Sequence, residues 1–427
     1  MATFDEEPQF MAQSPLPQSM NFRNMLDSAS AGVREKLYIQ PTNGSEFTSG
    51  STFSEFHIPG NRSNTFADLT NAYIELDITT SVATISLDVA GVLNAIERIE
   101  GDTTSGVRIF ETRSKDVIDN LTLMESNIVS ALDGPCAVMM GTKSNTDNNG
   151  VDLSGATTKK FIIPIINTPI NHYWPMIGND GLRFRIHWAS GVNLAIETAG
   201  STLASNSFSY TNVKLHYDTI LLNSESMASL NKETNGRYVI TGNAYQNQQE
   251  IASSQSLISN LGFGRTKCKR IYVALRNTSA IANVLQSSHS FDCHTLRTAE
   301  LRYNGRLINE SSLNFEAGNQ AVVMAEILKQ MGKSLISSTG ISTVANFETA
   351  IPSPTSALRT GTFHIVFDLT GGADTYLSES GLDTRTGSFQ LSLSSGTNLA
   401  HTVDIFCEYE TQIVLDMNAD KVFRVMS

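Results

Sequence analysis

Apolar and polar residues alternate with a period of two through most of this chain. Ala72, Ile74, Leu76 and Ile78 are interleaved with Tyr73, Glu75, Asp77 and Thr79, and Leu182, Phe184, Ile186 and Trp188 with Arg183, Arg185 and His187. Successive side chains of a strand point to opposite faces, so each run predicts a strand with one buried face. The second half repeats the signature at Ile271, Val273 and Leu275, at Phe363, Ile365, Phe367 and Leu369, and at Phe389, Leu391 and Leu393. Antiparallel sheets packed face to face produce this pattern. Helical spacing is confined to two places. Val117, Leu121, Met124, Ile128 and Leu132 predict an amphipathic helix within 112–132, and Val322, Ala325, Leu328 and Met331 a second within 318–331. A parallel sheet would need a helix after nearly every strand, so the predicted class is all-β.

The two halves also resemble each other. Phe56-His57-Ile58-Pro59-Gly60-Asn61 returns as Tyr238-Val239-Ile240-Thr241-Gly242-Asn243, and the segment around Tyr217-Asp218-Thr219 returns around Tyr409-Glu410-Thr411. Two units of roughly 180 residues, opening and closing on the same kind of strand, indicate one fold used twice. The expected division is an extended N-terminal arm over 1–45, a first unit over 46–225 and a second over 226–427. The arm carries Pro8, Pro15 and Pro17 without periodicity. It begins on Asp5, Glu6 and Glu7, so it is expected to contact protein rather than nucleic acid.

Composition narrows the function. Charged residues make up 17% of the 427, with a net charge of -12, which argues against sequence-independent binding to duplex DNA. The basic cluster Arg265, Lys267, Lys269 and Arg270 flanks a strand and reads as a solvated turn. Four cysteines, at 136, 268, 293 and 407, are too few for a disulfide framework and are expected to be reduced, with Cys407 a small buried hydrophobe. No secretory signal is expected. The most apolar stretch, 161–178, is broken by Pro164, Pro169 and Pro175 and is not expected to span a bilayer.

Candidate chemistry is sparse. His289, Cys293 and His294 are of metal-ligating types, but their spacing completes no tetrahedral site. Gly262-Phe263-Gly264-Arg265 lacks the third glycine of a phosphate-cradling loop and reads as a turn. Glu75 and Asp77 share the polar side of one strand, where a glycosidase pair or ordinary solvated carboxylates both fit, the second being expected. Trp174 is expected to pack inside rather than stack on a sugar. No catalytic, cofactor-binding or metal-ligating residue is assigned, and no cofactor is expected.

The segments at 53–80, 112–132 and 161–188, followed by 269–277, the hairpin at 301–308, the helix after Gly318, and the strands at 363–369 and 403–415, occur in an informative order. That order is similar to the double jelly-roll major capsid proteins of tailless icosahedral double-stranded DNA viruses, including virophages and polinton-like or adintovirus-like elements. The resemblance covers residues 50–427. It implies two tandem antiparallel eight-stranded jelly rolls with one short helix in a connection of each. It further implies a structural, non-enzymatic virion protein assembled inside the host cell, whose homotrimers form pseudo-hexagonal capsomers tiling an icosahedral shell. Implied partners are neighbouring capsomers, penton and minor capsid proteins, without sequence-specific nucleic-acid binding; indirect contact with an internal membrane stays open. The alternative from another class is a secreted or surface β-sandwich protein for carbohydrate binding or adhesion, which would require export. A jelly-roll enzyme would require converging histidines or paired carboxylates in one cavity.

Overall fold

The computed structural model describes residues 32–426, apart from 51, 89, 126–134, 143–150, 155–157, 198–201, 282, 294, 309–311, 316–324, 326–360, 371–380 and 420. In the first half lie β1 (Gly32–Ile39), β2 (Phe53–Ile58), β3 (Thr65–Thr80), β4 (Ile96–Thr103), β5 (Arg108–Arg113), β6 (Thr158–Pro164), β7 (Leu182–Trp188) and β8 (Phe208–Leu222). They form two antiparallel sheets, ordered β1-β8-β3-β6 and β2-β7-β4-β5. The second half holds β9 (Arg237–Ala252), β10 (Ser256–Leu261), β11 (Cys268–Asn277), β12 (Leu296–Tyr303), β13 (Arg306–Leu307), β14 (His364–Asp368), β15 (Phe389–Ser395) and β16 (His401–Asp416). Its sheets run β9-β16-β11-β14 and β10-β15-β12-β13. Strand for strand the order is the same, which is the jelly roll built twice. A further strand, β17 (Phe423–Met426), lies beside the end of β16.

The alternation places the cores as expected. Ala72, Ile74, Leu76 and Ile78 are buried, as are Leu182, Phe184, Ile186 and Trp188 in the first roll and Ile271, Val273, Leu275, Leu391 and Leu393 in the second. Burying each such aliphatic or aromatic side chain contributes roughly 1.5–3 kcal/mol. The 301–308 hairpin forms with Asn304 and Gly305 at φ 49 and 81, the left-handed pair that a tight two-residue turn requires. Helix α1 (Lys115–Glu125) falls inside the predicted 112–132; it starts at Lys115 because β5 runs through Arg113. The second predicted helix, 318–331, lies outside the described residues except Ala325. A helix without its own apolar run, α2 (Ser224–Glu233), joins the two rolls, its N-terminus capped by the Asn223 side chain accepting from Ser226 N.

Two expectations are corrected. Residues 32–39, placed in the arm, are strand β1, paired with β8 from Gly32↔Leu222 to Ile39↔Leu215. The matched openings also turn out not to correspond. Phe56 lies in β2, which pairs with β7, whereas Tyr238 lies in β9, the counterpart of β1; the counterpart of β2 is β10. The shared Gly-Asn misled because it does different work. Asn61 follows β2 in a left-handed turn at φ 55, while Gly242 sits inside β9, where a Cβ would lie 2.2 Å from the Pro169 carbonyl oxygen. The matched endings do correspond: Tyr217 in β8 and Tyr409 in β16 occupy equivalent strands.

Candidate functional site

The two rolls share side chains across a seam. Val117, Ile118 and Leu121 of α1, from the first roll, belong to the second roll's core. In return Tyr238, Ile240, Ile413, Leu415 and Phe423 belong to the first roll's core. The Phe423 ring stacks on Trp174 with centroids 4.2 Å apart, and Gly178 leaves room for it. Backbone bonds cross as well, Asn179 N donating to Lys421 O and Glu197 N to Val284 O.

Several polar groups buried at the seam satisfy one another. Lys115 Nζ donates to both Asp119 oxygens at 2.8 and 2.7 Å and to Ile166 O, and Asn167 Nδ2 also donates to Asp119. Burial pushes the Asp119 carboxyl up despite these partners. His289, from the second roll, faces two first-roll carboxylates. Its Nε2 lies 3.0 Å from Asp116 Oδ2, and its Nδ1 lies 3.0 Å from Ser288 Oγ and 3.5 Å from Asp88 Oδ2. Burial opposes the charged imidazole, but Asp116 and Asp88 outweigh it and hold His289 above its ordinary value. Nothing local marks Asp88, Asp116 and His289 as partners, since about 170 to 200 positions separate them in sequence.

The residues singled out by type fall into ordinary structural roles. His289 is engaged as described, Cys293 is half-buried, and His294 lies outside the described residues. Among the described residues no group of three or more His, Cys, Asp or Glu side chains is placed to hold a metal ion. Glu75 is held below the usual carboxylate range by Lys160, with Lys214 and His216 adding to the effect, while Asp77 accepts from Asn212. A glycosidase acid needs the opposite shift. Trp174 is buried, while its neighbour Tyr173 is exposed. Phe263 of the Gly-Phe-Gly turn is buried, and the Arg265 guanidinium lies 4.3 Å from the Tyr409 ring centroid.

The basic cluster is a correction. Instead of a solvated turn it is neutralised by the closing strand: Lys267 and Lys269 pair with Glu410, and Arg270 with Glu408. The partners sit some 140 residues away, beyond the reach of any local pattern. Cys268, Cys293 and Cys407 take part in no disulfide, and the Cys268 and Cys407 sulfurs lie 3.0 Å apart in the second core.

The outward faces of the equivalent four-stranded sheets differ. On β2-β7-β4-β5 the row Glu55, Arg185 and Glu100 runs beside Arg183 and Asp102, and Arg108 pairs with Asp102 at 2.5 Å and Glu100 at 3.1 Å. On β10-β15-β12-β13 the matching row is Ile258, Ser392 and Glu300, flanked by Ser256, Ser394 and Thr298. One face is a charge network; the other carries hydroxyls, an exposed isoleucine and the ion pair of Glu300 with Arg302. Where the rolls meet, a cleft of about 460 Å³ is lined by Arg108, Glu111 and Arg113 from one side and Tyr245, Asn247 and Arg265 from the other. Glu111 pairs with Arg108 and Arg113 there, and Arg108 also reaches Glu100 and Asp102 behind the lining.

Two jelly rolls of identical strand order in one chain define a double jelly-roll protein. Solved structures of viral capsid proteins share this fold. The mavirus major capsid protein is similar over 100% of this chain and 96% of its own, with a TM-score of 0.58 and 10% identity. A chain of the Sputnik virophage structure gives 0.60 and 12% identity over 100% and 93% of the two chains. The Faustovirus major capsid protein gives 0.56 and 10% identity over 91% of each. No protein-family model matches the chain, and no curated protein matches it.

Proposed function

We propose that this chain is a major capsid protein, located in the virion, whose first roll closes on β8 and whose second opens on β9. The observation that carries the reading is the full doubling of one strand order within a single chain, shared over the whole length with the mavirus and Sputnik chains. Three copies about a threefold axis place six similar sandwiches in a ring, giving a near-hexagonal block that tiles a plane. The interlocked seam supports this use, because a tile must hold its two halves at a fixed angle. The charged face of one roll and the hydroxyl face of the other distinguish alternate sides of such a block, which favours neighbours in the right register. Neighbouring capsomers, pentons and minor capsid proteins are the further partners this reading implies. In this reading the chain acts as a building block of the shell.

Negative-stain microscopy of the purified protein tests this. Threefold particles with a hexagonal outline are expected; single-chain particles that bind glycans would move the reading to an adhesin. The arm adds a second test. Deleting residues 1–28, which spares β1, should leave the blocks intact and impair shells, and unimpaired shells would remove the arm from assembly.

A further inference from the structure

An apolar groove of about 540 Å³ opens where the two rolls meet α2. Phe66 of β3, Tyr173, Ile220 and Leu222 of β8, Leu230 of α2 and Tyr238 of β9 line it. Its lining is unusually apolar for a surface: Tyr173 and Val239 are 52% and 54% exposed. Contiguous exposed apolar surface of this kind marks a site of contact.

The first described residue of the chain stands at this groove. Gly32 pairs with Leu222, and a Cβ on Gly32 would lie 2.6 Å from the Leu221 carbonyl oxygen and 3.2 Å from the Leu222 side chain. The chain therefore enters β1 pressed against the groove wall. Thirty-one residues precede it, and those nearest that are rich in large apolar side chains are Met20, Phe22, Met25 and Leu26, set among Asn21, Arg23, Asn24 and Asp27. Six residues of chain span at most about 20 Å, so Leu26 lies within reach of the whole groove.

We propose that residues 20–26 occupy this groove in their own chain, the Phe22, Met25 and Leu26 side chains covering Leu222, Tyr173 and Val239. The short tether favours the same copy over a neighbour, because it raises the local concentration of the segment to the millimolar range. Residues 1–19 are then the part of the arm left to reach another molecule. The proposal concerns the chain itself and stands whether or not it builds shells.

A fluorescein-labelled peptide of residues 17–28 tests it by anisotropy against the full chain and against the chain lacking residues 1–28. Saturable binding to the shortened chain, about a hundredfold weaker binding to the full chain, and loss of binding when the shortened chain carries Tyr173→Ser are expected. Binding to neither chain, or equally to both, would overturn the proposal. If the shortened chain fails to fold, the full chain with Phe22→Asp and Leu26→Asp takes its place and should admit the peptide. Cysteines placed by Leu26→Cys and Val239→Cys fix which copy supplies the segment. Under mild oxidation a crosslink within one chain supports the proposal, and crosslinked dimers would contradict it.

Discussion

The sheets β1-β8-β3-β6 and β9-β16-β11-β14 are the same element used twice, yet their central strands differ in how far water reaches the outer side. In the first, β3 alternates buried and half-exposed residues from Asn71 onward, and Glu75, Lys160 and Lys214 meet on the open side. In the second, β16 is buried at every position from His401 to Tyr409. On its outer side Arg276 pairs with Asp404 at 2.7 Å, with side chains 6% and 0% exposed. The difference is α1: a helix of the first roll carries Val117, Ile118 and Leu121 into the second core, and no described helix returns the favour. Duplication supplies two sandwiches; covering one sheet of the copy with a helix of the original makes them a single body.

Four substitutions sharpen this contrast. Arg276→Met leaves Asp404 buried and uncompensated and should cost about 3–5 kcal/mol in denaturant unfolding, provided the chain still folds. A cost below about 1 kcal/mol would mean that the outer side of the second sheet is wet. Leu121→Ala should cost about 2–5 kcal/mol and shift the unfolding of both rolls together, since the helix belongs to one and its contacts to the other. Separate transitions would show that the seam does not couple them.

His289→Gln should cost about 2 kcal/mol at low pH. Because the native imidazole is held above its ordinary value of 6.5, its contribution is complete below that pH and fades as pH rises through the raised native value. The gap between wild type and His289→Gln should therefore narrow on going alkaline. A gap independent of pH would remove the charged pairing with Asp116 and Asp88. Smallest is Lys160→Ala, which breaks the ion pair with Glu75 on the open sheet, where the lysine is 59% exposed, and should cost less than about 1 kcal/mol.

Much of this architecture was legible in the sequence because strands with one buried face write their period directly. β3, β7, β11, β15 and β16 all announced themselves, and Asn304-Gly305 announced its turn. β1 did not, for a physical reason. It is an edge strand whose residues Gly32 to Lys36 are exposed, so Arg34, Glu35 and Lys36 interrupt any apolar rhythm, and cross-strand bonds to β8 hold it in place. The repeat was half legible: the closing strands aligned, whereas a shared Gly-Asn joined two segments with different backbone roles. The seam was not legible at all. Asp88, Asp116 and His289, like Lys267 and Glu410, acquire their meaning from distant partners, and one sequence records no such pairing.

The mass of the protein in solution, by size exclusion with multi-angle light scattering, tests most directly whether the doubled sandwich is a tile. Three times the 46.5 kDa of the chain, constant on dilution, is expected. A mass of one chain at every concentration would contradict it.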